Sequence, residues 1–331
     1  MNARAAIAAL LVAAVATGCG AVHTAISNRN YGATDQRLQI GEDRINFLAG
    51  GHGDRCVAFL HGNPGFGDEA WPHQVLLENE FAWVRIDRPG HGSSTRRGDW
   101  PFARQVELLE QALNDRRSVI LVAHGAAAAL AIEFARRQPR RTAGLVLLAP
   151  ITQPEPGSAA GALSEVPVLG TLWQEAIGTP AARFGEMPAA MRREYVGDTT
   201  TPIPPAVTGL FDRSVSQFSR PGQVRAAFQD DVQVGDHYAV ARGRQYEVEV
   251  PVVILYGDQD RTADPTRHAR HFAWCRPATA IQAIPGAGHR IHVTHPQEVA
   301  SAIRFVEEWV STTRRPPREP AALPPATRAA L

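Results

Sequence analysis

The sequence predicts an α/β fold, a mostly parallel sheet with helices on both faces, and three observations predict it. Short apolar runs bounded by turn residues alternate with longer segments of helical periodicity along most of the chain. The runs, such as Cys56-Val57-Ala58-Phe59-Leu60, are continuously apolar rather than alternating, as strands covered on both faces are. The 331 residues, 44% hydrophobic and 20% charged, suffice for one large core or a core with a sizeable insertion.

In order, residues 44–49 read as an early strand ending at Gly50-Gly51, and 56–60 as the next, stopped by His61-Gly62-Asn63-Pro64-Gly65. Residues 71–79 read as a helix, and 82–86 as a strand that ends at Asp87-Arg88-Pro89-Gly90. A helix over 102–114 follows from Val106, Leu109 and Leu113 on one face, with Glu107 and Glu110 on the other. Residues 118–123 form a continuous buried strand, 125–137 an alanine-rich helix closed by Pro139, and 145–148 another strand. The strands at 252–256 and 279–284 come about a hundred residues later. A terminal helix over 296–312 starts with proline in its first turn and is amphipathic through Val299, Ala302, Ile303, Val306 and Trp309.

The stretch 151–250 breaks the alternation: it is rich in Pro and Gly, holds short helical patterns, and includes Thr201-Pro202-Ile203-Pro204-Pro205. An insertion of this length reads as a lid between the sixth and seventh strands. Residues 313–331, dense in Pro, Ala and Arg, lack the large apolar groups needed to pack and are expected to be a disordered tail.

The N-terminus differs in kind. Arg4 precedes a charge-free apolar run over 5–16, too short to span a bilayer but suited to a signal-peptide core. It ends in Ala16-Thr17-Gly18-Cys19, which resembles the lipobox of bacterial lipoproteins. The resemblance implies export, removal of residues 1–18, a lipid on Cys19 that anchors the chain to a membrane of the cell envelope, and a tether over 19–34. An ordinary secretory signal with an incidental cysteine is the alternative. The other two cysteines, Cys56 and Cys275, fall on separate elements and are expected as free thiols.

A formal net charge of +1 predicts no electrostatic footprint for nucleic acid or an anionic membrane. Every basic residue is Arg, so no phosphate loop ending in Lys exists. The twelve histidines show no spacing of a zinc site, and no cofactor is implied.

Four motifs carry the chemistry: His61-Gly62-Asn63-Pro64 after a strand; Asp87-Arg88-Pro89-Gly90-His91-Gly92-Ser93-Ser94; Ala123-His124-Gly125-Ala126-Ala127 at a strand-to-helix turn; and Gly257-Asp258-Gln259-Asp260 with Gly286-Ala287-Gly288-His289 after the last two strands. Together they resemble the α/β-hydrolase superfamily, in particular lid-bearing members such as epoxide hydrolases, haloalkane dehalogenases and related serine hydrolases. The resemblance covers about residues 35–312 and implies an α/β-hydrolase fold with an eight-stranded, mostly parallel sheet. Its core would be 35–150 and 251–312, its lid 151–250.

By that resemblance Asn63 and Ala126 supply the backbone N–H groups of an oxyanion hole. His289 is the catalytic histidine, and Asp260, rather than Asp258 or Asp264, the acid that orients it. The Asp87–Ser94 loop is structural, and Ser93 and Ser94 do not sit on an elbow. At the elbow, Ala123 and Ala127 keep the small positions that the strained turn needs, but Gly125 stands where the nucleophile should be. Shifting the register by one would make His124 the reactive group, with its side chain directed into the sheet packing. His61, Phe66, Trp71, His124 and Trp173 are candidate pocket residues, each of which could equally be core. His292 and His295 are expected at a helix entry or on the surface.

Two functions fit. One is a non-hydrolytic or weakly active member that binds a small apolar or ester-like molecule, or a protein partner. The other is a hydrolase or lyase of ester-like small molecules, in which His289 activates a bound water.

Overall fold

The computed structural model describes residues 34–154, 187–197, 202–203, 205–218, 220–241 and 243–312. Cys19, Trp173, the signal and almost all of the tether, much of the 151–250 insertion and the 313–331 tail therefore lie outside the described residues.

Eight strands form one sheet in the order β1-β2-β4-β3-β5-β6-β7-β8. They are β1 (Thr34–Ile40), β2 (Asp43–Gly51), β3 (Cys56–Leu60), β4 (Ala82–Ile86), β5 (Val119–His124), β6 (Thr142–Leu148), β7 (Val252–Gly257) and β8 (Thr279–Ile284). β1 pairs antiparallel with β2 and β2 with β4, and every later pairing is parallel. The helices are α1 (Trp71–Gln74), α2 (Phe102–Ala112), α3 (Ala127–Arg137), α4 (Met187–Val196), α5 (Pro205–Phe218), α6 (Pro221–Ala241), α7 (His271–Cys275), α8 (Ile291–Thr294) and α9 (Pro296–Thr312).

The continuous apolar strands are explained by cover on both faces. Ala58 and Leu60 of β3 pack in one cluster with Val106 and Leu109 of α2 and Leu130 and Phe134 of α3. Val57 and Phe59, pointing the other way, join Val299, Ile303 and Val306 of α9. The central strands β5, β6 and β7 are buried at every residue.

Two expectations are corrected and one strand was not foreseen. The helix over 71–79 stops at Gln74; beyond it Leu77 N–H bonds Gln74 O and Glu80 N–H bonds Leu77 O, three-residue turns tighter than an α-helix, which carry buried Leu77 and Phe81 into the core. The 145–148 strand begins three residues earlier, at Thr142. β1 had no apolar run to betray it, since Gln36, Arg37 and Gln39 on this edge strand are exposed. Cys56 is buried, which pushes its thiol up to about 11. Cys275 is half-buried, its Sγ 3.3 Å from His271 Nε2.

The parallel arrangement puts the C-terminal ends of β3, β5, β7 and β8 on one edge of the sheet. The crevice beyond such ends is where side chains from distant parts of a chain converge.

Candidate active site

β5 runs straight into the elbow. Gly125 has φ +54°, in the left-handed region that suits glycine far better than any residue with a Cβ. Its N–H bonds Leu148 O at 2.9 Å, and its C=O accepts from Ile151 and Ala128. α3 starts two residues later. Neither the Asn63 nor the Ala126 backbone N–H has a hydrogen-bond partner among the described residues.

The loops after β7 and β8 are forced together at Gly257, where a Cβ would lie 2.2 Å from Ala287 O. That approach sets Asp260 beside His289. Asp260 Oδ1 accepts the Thr262 and Ala263 N–H groups at 2.8 and 3.0 Å, and Oδ2 meets His289 Nδ1 at 2.8 Å. Asp258 instead caps Gly286 N–H, and Asp264 caps Arg267 N–H. Of the three acids, Asp260 is thus the one whose carboxylate meets the imidazole.

Both partners are buried, His289 at 4% and Asp260 at 6% exposure. Burial by itself would lower the His289 pKa; the charge and hydrogen bond of Asp260 outweigh it and hold the pKa above its ordinary 6.5. The stabilisation from this pair is therefore full below 6.5 and is lost as pH rises through the raised value in the folded chain. Asp260→Asn should drop the His289 pKa below 6.5, read by NMR titration of the ring protons. An unmoved titration would show that the Asp260 charge is not what holds the imidazolium.

The other ring nitrogen faces the elbow. A Cβ built on Gly125 would sit 3.2 Å from His289 Nε2 and 3.9 Å from Gly62 Cα. The structure therefore gathers Gly125, Ala126, Asn63, Asp260 and His289 at one place, with no side chain at position 125.

The Asn63 side chain is engaged elsewhere: Nδ2 donates to Ala227 O and Asp231 Oδ1 of α6, each at 2.5 Å. Asp231 is exposed as a residue, but protein atoms strip water from its carboxyl and push its pKa up to about 6. The backbone just beyond β6 also turns unusually, with Ala149 at φ +44°.

The remaining pocket candidates fall differently. His61 and His124 are buried and line a cavity of about 20 Å³ with Phe59, His73 and His292. His61 Nε2 accepts the Arg88 N–H at 2.9 Å, which leaves the proton on Nδ1. Burial and like charges hold both His61 and His124 well below 6.5, so they are neutral. Phe66 is core: it packs with Met191, Tyr195, Leu210 and Phe211 of the inserted helices. Trp71 opens α1. His292 stands at a helix entry, as the second residue of α8, but is buried rather than on the surface, its ring 4.0 Å from that of His124 and its Nε2 3.6 Å from Glu69 Oε2. His295 is half-buried behind α8.

The structure adds a group that the sequence did not suggest. Arg290, next to His289 in the chain, is fully buried and bonds Glu69 Oε1 at 2.5 Å, Glu194 Oε2 at 2.8 Å and Pro64 O at 3.0 Å. It ties α4 to the loop after β3 across separations of 221 and 96 residues, and no local signal marks such pairs. Among the described residues no group of three or more His, Cys, Asp or Glu is placed to hold a metal ion.

Residues 57–302 match a family model described as the alpha/beta hydrolase family. A haloalkane dehalogenase of Mesorhizobium japonicum is 30% identical over 116 residues, 34% of this chain and 37% of that protein. The match thus spans little more than a third of the relative. A bacterial membrane phospholipase A superposes with a TM-score of 0.67 at 17% identity, over 93% of this chain and 96% of its own. An esterase from Thermogutta terrifontis gives 0.65 at 20%, over 85% and 100%. At these identities the superpositions show the fold alone.

Proposed function

The chain belongs to the alpha/beta hydrolase family, and from that premise we propose that it is a member without a serine nucleophile, one that binds a small apolar or ester-like molecule with little or no turnover. The observation that carries the reading is the 3.2 Å between His289 Nε2 and the point where a Gly125 side chain would begin. A nucleophile and its base must meet there, and here the imidazole faces bare backbone. Two N–H groups without partners among the described residues, at Asn63 and Ala126, remain to hold a carbonyl oxygen. The helices between β6 and β7 would act as the lid over that ligand, and a lipid on Cys19 would hold the chain at a bacterial membrane.

The test is fluorophosphonate labelling of the natural chain beside Gly125→Ser. A serine at φ +54° costs about 1–2 kcal/mol, and its Cβ requires His289 to yield by a few tenths of an ångström. The expected result is labelling of the variant alone, abolished by adding His289→Ala. Labelling of the natural chain would overturn the reading, because a nucleophile would then exist elsewhere.

One observation favours a second reading. His289 Nε2 has no hydrogen-bond partner among the described residues, so it is available to deprotonate a water. That reading makes the chain a slow hydrolase or lyase of ester-like compounds. It requires any turnover to vanish in His289→Ala.

A further inference from the structure

Away from Gly125, a cavity of about 350 Å³ lies between the β4–α2 loop and the start of α6. Four arginines line it, Arg96 and Arg97 from the loop and Arg220 and Arg225 from the α6 end, together with Gln223 and Gln229. No Asp or Glu is among its described lining residues. In a chain whose basic and acidic residues number 34 and 33, four guanidinium groups gather around one hollow, one of them, Arg96, neutralised by Asp230.

The wall is fixed before anything binds. Asp43 accepts the N–H groups of Arg97 and Gly98 at 2.6 and 3.0 Å and the Trp100 Nε1–H at 2.7 Å, which pins the loop. Arg220 Nη1 bonds Gly92 O at 2.9 Å and Gln217 Oε1 at 2.7 Å, and Gln223 Oε1 accepts from Gly92 N–H at 3.3 Å. Loop and helix are thereby stitched together at Gly92. Arg96 is paired with buried Asp230 at 2.7 Å. The Arg97 guanidinium is exposed and has no partner among the described residues.

Several guanidinium groups converging from two chain segments match the several oxygens of a tetrahedral oxyanion, which can take fork-like hydrogen bonds from each. Like charges held together repel, and a bound anion relieves that repulsion without moving the wall. We propose that this cavity binds a phosphoryl oxyanion, either free phosphate or the headgroup of an anionic phospholipid. The proposal stands apart from the reading of Gly125.

The test uses the full chain and two probes. Inorganic phosphate, exchanged against chloride at constant ionic strength, should raise the thermal midpoint saturably. Arg97→Glu should weaken the apparent Kd at least tenfold, while Arg117→Ala, exposed just before β5, should leave it unchanged. Because the Arg97 side chain is exposed and unpaired among the described residues, the variant should fold like the natural chain. Flotation with phosphatidylglycerol vesicles, against phosphatidylcholine vesicles, identifies the source. Vesicle binding that falls tenfold in Arg97→Glu assigns the headgroup; phosphate saturation without it assigns the free ion. If neither phosphate nor phosphatidylglycerol gives a response that depends on Arg97, the proposal is wrong.

Discussion

Replacing Asp230 with alanine is expected to cost about 3–5 kcal/mol of stability, because it strands a buried cation. Asp230 sits on α6 at 1% exposure, and its two carboxylate oxygens serve four partners. Oδ2 takes Arg88 at 2.7 Å and His91 at 3.2 Å; Oδ1 takes Arg96 at 2.7 Å and Gln105 at 3.1 Å. Arg88, 2% exposed, would keep Gly62 O as an acceptor but lose its counter-charge. The measurement is the urea midpoint, with an unchanged slope to show that the loss is one of stability and not of cooperativity. A midpoint within error of the natural chain would show that the network contributes nothing net. The pH dependence has a definite sign. Burial opposes ionisation of Asp230, but Arg88, Arg96 and His91 outweigh it and hold the carboxyl well below its ordinary range. Its contribution is therefore present above the unfolded-chain value of about 4 and is lost as pH falls below it toward the depressed folded value. Asp230→Asn should flatten the acid limb of the stability profile.

Arg290→Met should cost a similar amount, about 3–5 kcal/mol, for the mirror-image reason. It leaves Glu69, 1% exposed, with Ser214 Oγ at 3.3 Å and His292 Nε2 at 3.6 Å as its remaining polar contacts. Arg290 also lies over the Tyr195 and Phe218 rings, with 5.6 and 5.2 Å to their centroids, so the methionine keeps apolar contact while removing the charge. Adding Glu69→Gln should return part of the loss, since a neutral amide needs no counter-ion, and the double-mutant cycle would give the coupling. The site responds as well. Arg290 lowers the His289 pKa by like-charge repulsion, so its removal should raise that pKa further. A fall in the His289 value would contradict the placement of the two charges.

Much of the fold was legible because it rests on local causes. Apolar runs of five or six residues, glycine and proline at their ends, and the helical period of Val299, Ile303 and Val306 each need only neighbouring residues to be read. The edge strand β1 escaped because solvent covers most of it, and the short α1 because its turns depend on where Leu77 and Phe81 enter the core. The candidate site divides along the same line. Gly125, Asp260, His289, Asn63 and Ala126 stand in loops that directly follow strands, where chain order announces position. Phe66 could not be separated from a pocket residue, because what covers it comes from helices more than a hundred residues further on.

By itself, then, the sequence determined the alternating elements, the strand-end loops and the glycine at position 125 of the strand-to-helix turn, since each is a property of a short stretch of chain. The tertiary structure alone decided that His289 meets Asp260 through Nδ1, that His292 is buried, that Arg290 joins Glu69 to Glu194, and that four arginines share one hollow. The physical reason is common to all four. Electrostatic and hydrogen-bond partners are chosen by distance in space, and distance in space between remote segments is set by how the sheet and its inserted helices pack.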